Sequence, residues 1–429
     1  TRDMIEEAYN KMQSISNFVE VYSESLPEAP RRMPSSKSPF TYEYFPHLQY
    51  FGRTDDHVHI KQKSNIVKSL LADFVDECME DLEFTPTVRF GRPMMKPVTR
   101  DGVYYNPYNI GLRKMNKPIP SLDEKILVRI IEELTERFVS GLAEKGVTSL
   151  SPLTLQEAIN GVDQDAFIAR INTSTSGAYG FKGKKSDHLP IVEEVPLIRE
   201  PTNELKSAIK HAYESYRNED MVNGLIGAQL KDEPREISKC ETGKTRLFYM
   251  SELSNLILNR QMFCPFYSLM VEFSDIFCAA VGINIYRQAD ALIKTLSAFS
   301  DKFMEGDYGG FDVSNPVQVA WVVHTIIYNV LKRLGYNEAA LYVVKGLMSD
   351  NMFPHIFMNG DVFCKPGMQP SGKYATAEDN CLRGLVLLMY AFYKHEELED
   401  KCFFDCVLPR LYGDDILAAV KDDILSIFN

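Results

Sequence analysis

Residues 406–420 read Cys-Val-Leu-Pro-Arg-Leu-Tyr-Gly-Asp-Asp-Ile-Leu-Ala-Ala-Val, and they constrain the fold more than any other stretch of the chain. Two mostly apolar runs flank a Gly-Asp pair, which predicts a strand, a tight turn and a second strand. The turn carries adjacent carboxylates, Asp414 and Asp415, which repel each other and call for a positive partner. A hard divalent cation held by oxygen ligands is the natural one, since Mg²⁺ takes only one or two carboxylates plus substrate phosphates. A solvated hairpin turn explains the same four residues, so the rest of the sequence decides.

At 429 residues the chain is long enough for two or three domains and a large core. Hydrophobic residues at 45% and charged residues at 25% are those of a soluble globular protein. No apolar run is long enough to span a bilayer, and the polar, partly acidic first residues carry no secretory signal. The start at Thr1 rather than Met reads as an excised piece of something longer. Of the eight cysteines only Cys402 and Cys406 are close, without a second pair to complete a zinc site, so all eight are expected as reduced thiols. His57 and His59 are expected to be exposed in a polar loop. A net charge of −12 argues against a uniformly basic nucleic-acid binder. A polyanion responds to the local field of a channel, however, and an acidic exterior around a basic groove fits this composition.

Taken in order, residues 1–44 carry a short helical pattern (Met4, Ile5, Ala8, Met12, Ile15, Phe18, Val19). A Pro/Ser/Arg-rich linker follows over residues 26–39. Residues 45–120 mix aromatics, cations and turn signals, as expected of a segment draped over another domain. Ser121 and Glu124 then have capping-box spacing, and Ile126, Ile130, Ile131, Leu134 and Phe138 mark one apolar helical face. A second capped helix is expected from near Thr154 to Gly161, and a third over residues 203–229.

Four further stretches carry chemistry. Residues 173–185 combine small hydroxyl residues and glycines with three lysines, which suits a loop lying along a phosphate backbone; a flexible surface loop is the alternative. Residues 231–248 hold five cations against four carboxylates. There Lys244 and Arg246 alternate after a glycine, which puts both on one face of an extended strand opposite Leu247. Two such cations can grip a triphosphate, Arg by a fork and Lys as a point charge, or belong to a salt-bridged surface hairpin. Asp307 ends a short strand beside a glycine turn, ahead of a long apolar helix over roughly 316–334. Asp312, five residues on, sits at the turn's exit or caps a helix. Finally, the glycine loop that begins at Gly367 runs into a helix on which Thr376 and Asn380 share a face, and both need partners or a substrate.

In this order the stretches resemble the RNA-dependent RNA polymerases of positive-strand RNA viruses, specifically the picornavirus-like group, from about residue 45 to the end. In that family's terms, residues 175–185 are similar to motif G, which guides the template, here with Thr175, Ser176, Lys182, Lys184 and Lys185. Residues 231–246 resemble motif F, with Lys231, Arg235, Lys239, Lys244 and Arg246 at the family spacing. Asp307 and Asp312 resemble motif A, Ser371, Gly372, Thr376 and Asn380 motif B, and residues 412–415 motif C.

The resemblance implies an α+β right-hand polymerase, an antiparallel palm sheet backed by helices with a large mixed α/β fingers region. The implied division is an N-terminal extension and linker over 1–44, fingers over 45–262 and 313–366, and an incomplete palm over 263–312 and 367–429. It also implies nucleotidyl transfer from NTPs to an RNA 3′-OH during viral genome replication. Asp307, Asp414 and Asp415 would hold two Mg²⁺ ions, or Mn²⁺ in their place, about 4 Å apart. One lowers the pKa of the 3′-OH and the other steadies pyrophosphate. The motif F cations, above all Arg246, would neutralise the triphosphate. Asp312, Thr376 and Asn380 would read the ribose 2′-OH, and Ser371 and Gly372 would let their loop move. The implied partners are template and nascent RNA, NTPs, a small protein primer and other viral replication proteins, at replication complexes in the host cytoplasm.

Two departures stand out. Pro409 lies in the strand entering the turn and removes a ladder donor, so an unpaired or bulged position is expected there. The family's motif D, with its general-acid lysine, its motif E and its thumb fall beyond residue 429, so the chain reads as fingers with part of a palm. A reverse transcriptase shares the two palm aspartates but places a bulky aromatic near the 2′-OH, where this chain has Asp312 and Asn380. An RNA-binding fragment without catalysis is the alternative from another class.

Overall fold

The computed structural model describes residues 38–41, 43–54, 63–163, 165 and 167–427. The helical pattern and most of the linker expected over residues 1–39, together with His57 and His59, lie outside the described residues. In chain order, the strands that frame the site are β1 (Gln49–Arg53), β2 (Leu225–Leu230), β3 (Leu247–Met250), β4 (Phe303–Gly306), β5 (His355–Met358), β6 (Asp361–Cys364), β7 (Val407–Tyr412) and β8 (Asp415–Val420). The helices that back them are α1 (Glu124–Glu144), α2 (Asn203–Arg217), α3 (Leu253–Glu272), α4 (Val317–Arg333), α5 (Glu338–Met352) and α6 (Thr376–Lys394).

The strands form two main sheets. One has the order β4-β8-β7, antiparallel throughout, and the other the order β1-β6-β5-β2-β3, in which only the β5–β2 pair is parallel. All six helices and the inner faces of β7 and β8 share one apolar core that includes Phe138, Phe266, Val323, Leu347, Leu385 and Leu411. A second core lies under the five-stranded sheet, where Ile226, Ala228 and Leu230 alternate inward along β2 against Leu112, Ile356 and Phe363.

Helix α3 has no one-sided apolar stripe because it is buried nearly all round, and its buried polar side chains are bonded, Arg260 donating to the carbonyl of Ala158 at 2.6 Å. Its Pro265 has no N–H to give to the carbonyl of Gln261, and that carbonyl instead accepts from the N–H of Leu153 at 2.9 Å. The capped helix at Thr154 forms as expected, with a capping box to Glu157 and Gly161 at φ 82° closing it.

Three local expectations are corrected. The cap of α1 is Asp123, whose carboxylate accepts from the N–H of Lys125 at 3.0 Å, and Ser121 takes no part. Residues 203–229 are not one helix: α2 stops at Arg217, Glu219 and Asn223 adopt positive φ, and β2 begins at Leu225. The polar run Asn218-Glu219-Asp220 and the Asn223-Gly224 pair break the helix before the β-branched Ile226. Pro409 causes neither bulge nor gap, since it pairs with Ala418 in an unbroken register. β7 is an edge strand, and neighbouring Leu411 turns its N–H and C=O outward to Cys278 and Ala280. Pro409 has the same parity, so its nitrogen points out of the sheet and no ladder bond is lost.

Candidate active site

The β7–β8 hairpin closes in two residues, because Tyr412 pairs with Asp415 and Gly413 takes the first turn position at φ 64°. Gly306, the last residue of β4, pairs with Ile416 of β8, so Asp307 emerges beside that turn. Asp307 and Asp414 line one cavity of about 650 Å³. Lys231, Arg235, Lys239, Lys244 and Arg246 line it as well, together with Asp312 and Ser371. A sixth cation, Lys114, joins them from the helix Pro107–Met115. Burial, followed by the charges of Arg235 and Arg246, lowers the Lys114 pKa. Six cations against three carboxylates make this a basic cavity in an acidic chain.

Four of the six cations already face a carboxylate. Glu233 lies 2.8 Å from Lys231, 3.4 Å from Arg246 and 3.8 Å from Arg235, and Lys239 pairs with Glu236 at 2.6 Å. Burial raises the Glu233 pKa, but the hydrogen bond from Lys231 and the charges of Arg246, Lys231 and Arg235 outweigh it and hold it below the usual range. Arg246 meets Glu233 through Nη1 only and is otherwise exposed to the cavity.

Asp312 lies in the one-turn helix Phe311–Ser314, beyond a Gly310 at φ 79°, and it does not cap that helix. Asn380 of α6 donates its amide to Asp312 Oδ1 at 3.3 Å, while the buried Asn380 Oδ1 has no partner among the described residues. Burial and the charge of Asp414 raise the Asp312 pKa against the pull of Asn380, Arg383 and Arg246. Thr376 does not join this pair: its hydroxyl turns into its own loop, donating to the carbonyls of Lys373 at 2.8 Å and Pro370 at 3.2 Å. Asp415 opens β8 and is exposed, outside the cavity lining. Gly372 is required by contact, since a Cβ there would stand 1.7 Å from the carbonyl oxygen of Tyr249 in β3.

The lysine-rich loop folds back on itself through a Ser176–Lys184 bridge and a bond from Gly177 N–H to the Gly183 carbonyl. Ser176 and Lys182 line a second cavity of about 370 Å³ between this loop and the outer faces of β2 and β5, beside Gly227, Gln229 and Phe357. Thr175, Lys184 and Lys185 lie outside its lining, and Lys185 ties the loop's base by donating to the Thr175 hydroxyl at 2.6 Å.

Sequence reasoning missed the support beneath the motif B loop. Asp379, Arg383 and Lys373 are buried together, with Asp379 Oδ2 3.3 Å from Lys373 Nζ and 3.1 Å from Arg383 Nε. Burial pushes the Asp379 pKa up, but Lys373 and Arg383 hold it well below the usual carboxylate range. Arg383 also donates to the carbonyl of Gly367 at 2.8 Å, fixing the loop's other end. His324 of α4 lies against this group, and burial followed by the Lys373 charge lowers its pKa to about 3. The available signal was the i, i+4 pair Asp379 and Arg383 inside an apolar helix.

Among the described residues no three His, Cys, Asp or Glu side chains gather closely enough to enclose a cation. The donor set still fits Mg²⁺ or Mn²⁺ delivered with a nucleotide, because two carboxylates and triphosphate oxygens suffice. No helix among the described residues is long and apolar enough to cross a membrane, and all eight cysteines are unbridged.

A family profile described as viral RNA-dependent RNA polymerase matches residues 75–429. The chain belongs to that family. Its relatives place it in the picornavirus-like group. It is 24% identical over 359 residues to the replicase polyprotein of Drosophila C virus (strain EB), which covers 78% of this chain and 20% of that polyprotein. It is 28% identical over 337 residues to the RNA1 polyprotein of Arabis mosaic virus (isolate NW), covering 76% of this chain and 14% of the relative. The chain thus spans a fifth or less of these relatives' lengths. Its fold is similar to that of a Sicinivirus 3Dpol RNA dependent RNA polymerase, with a TM-score of 0.70, 18% identity, and coverage of 87% of this chain and 72% of that one. The right-hand polymerase fold expected from the sequence is the fold observed, and the reverse-transcriptase reading is set aside.

Proposed function

We propose that this chain supplies the fingers (45–262 and 313–366) and palm (263–312 and 367–429) of an RNA-directed RNA polymerase that extends an RNA 3′-OH with NTPs during viral genome replication. The observation that carries this reading is the single cavity in which Asp307, Asp414 and Asp312 face six cations. Bound Mg²⁺ or Mn²⁺ would supply activation of the 3′-OH and neutralisation of the leaving pyrophosphate. Asp307 and Asp414 would hold the ions, and Asp415 would strengthen the local negative field. Lys231, Arg235, Lys239, Lys244 and Arg246 draw in the triphosphate, which competes with Glu233 for Lys231, Arg235 and Arg246 and with Glu236 for Lys239. Asp312 orients Asn380 toward the ribose 2′-OH, and the unpartnered Asn380 Oδ1 can accept from it.

The loop of Thr175, Ser176, Lys182, Lys184 and Lys185 would steady the template backbone. The partners in this reading are template and nascent RNA, a small protein primer and other viral replication proteins, at replication complexes in the host cytoplasm. Primer extension by the full-length polymerase tests it: Asp307→Ala or Asp414→Ala abolishes nucleotide addition while the mutant still melts cooperatively. Near wild-type extension by either mutant would overturn the reading, whereas RNA binding without extension by the wild type would favour a binding fragment.

A further inference from the structure

Cys381 follows Asn380 on α6, and it faces the β7–β8 turn. Its Sγ accepts from the backbone N–H of Gly413 at 3.2 Å, and its S–H donates to the carbonyl of Leu411 at 3.2 Å. The thiol therefore spans the two backbone groups on either side of Tyr412, immediately before Asp414. Gly413 is buried and its N–H has no other partner among the described residues, so without this sulfur a buried donor would be left unmatched. Burial pushes the Cys381 pKa up to about 12, which keeps the proton on sulfur and the donor role intact at neutral pH. The close approach is built in: a Cβ on Gly384, one turn further along α6, would stand 2.7 Å from Leu411 Cδ2.

Consecutive residues of one helix thus touch the two halves of the site, Asn380 the Asp312 carboxylate and Cys381 the backbone that bears Asp414. We propose that Cys381 is a positioning residue for nucleotide addition, setting the height of the Gly413–Asp414 turn against the sugar-facing Asn380. This rests on the polymerase reading above. Removing the sulfur frees the turn to shift, which weakens the hold of Asp414 on a divalent ion more than it weakens the triphosphate grip on the opposite wall.

The test is single-turnover NTP incorporation by the full-length polymerase across a Mg²⁺ titration, with thermal melting in parallel. Cys381→Ala should lower the maximal rate about five- to tenfold, as expected for two weak hydrogen bonds. It should raise the Mg²⁺ concentration for half-maximal rate several-fold and leave the NTP KM within about twofold. Cys381→Ser keeps a donor and an acceptor on a shorter bond and should recover most of the rate. It also serves as the variant to read if the alanine protein does not fold. A lowered melting point with unchanged rate and Mg²⁺ dependence in both variants would reduce Cys381 to core packing and overturn the proposal. Asp414→Asn run alongside separates the two levels: full activity in that variant overturns the polymerase reading itself, while its inactivity beside a fully active Cys381→Ala overturns only the positioning role.

Discussion

Asp379→Asn tests the ion-pair support beneath the motif B loop. The substitution keeps the shape of a fully buried side chain and removes the one charge shared by Lys373 and Arg383. Two buried cations are then left without a counter-ion, and breaking a buried pair in this way typically costs about 3–5 kcal/mol. Unfolding entropy near 2.1 cal/mol/K per residue amounts to roughly 0.9 kcal/mol/K for a chain of this size, so the melting temperature should fall by about 3–6 °C. The double variant Asp379→Asn with Lys373→Met removes one stranded cation and should recover a measurable part of the loss, with a coupling energy of about 0.5–3 kcal/mol in the cycle. Calorimetry on the four proteins of that cycle is the assay. A single variant melting within about 1 °C of wild type, or a double variant showing no coupling, would refute the view that the charges hold the loop.

Three other outcomes follow from the site. Asn380→Ala should narrow the preference for ATP over dATP by roughly ten- to a hundredfold, the worth of about 1–3 kcal/mol in one buried hydrogen bond, mainly by slowing ATP incorporation; an unchanged sugar preference with a lowered melting point would refute the role. Arg246→Lys keeps the charge but loses the fork, so the KM should rise for all four NTPs, and a defect confined to one base would refute the triphosphate contact. Asp312→Asn should match or exceed wild-type stability at pH 7. Burial raises the folded-state pKa of Asp312, so the native state holds its proton to higher pH than the unfolded chain and wild-type stability falls as pH rises from about 4. Melting curves should converge below that pH, and a variant clearly less stable than wild type at pH 7 would contradict the assignment.

The parts of this molecule that were legible in its sequence are those written in short-range signals. Gly413 between two apolar runs fixes a hairpin, and Thr154 with Glu157 fixes a helix start, because turn and cap chemistry act over a few residues. The expected alternation of Lys244 and Arg246 on one strand face opposite Leu247 is corrected: the strand begins only at Leu247, and Thr245 and Leu247 line the same cavity as the two cations. Relations across long sequence distances were not legible. Nothing local reveals that Lys114 joins residues 231–246 in one cavity, whereas the pairing of Glu233 with Lys231 and Arg235 is the salt-bridged arrangement that the same stretch offered. Thr376 misled because one helical face offers two destinations, the substrate side or the loop's own carbonyls, and the nearer acceptors prevailed.

Pro409 has a consequence for how the three-stranded sheet can grow. Along the outer side of β7 the proline offers no N–H, and the polar groups of Leu411 are taken by Cys278 and Ala280. An incoming strand would find no usable ladder there, which is how natural edges discourage unwanted pairing. β4 forms the opposite border, short and with Phe303, Glu305 and Gly306 exposed. Extension of the sheet by another strand is thereby channelled to the side of Asp307 and denied to the side of β7, where Leu411 is already held.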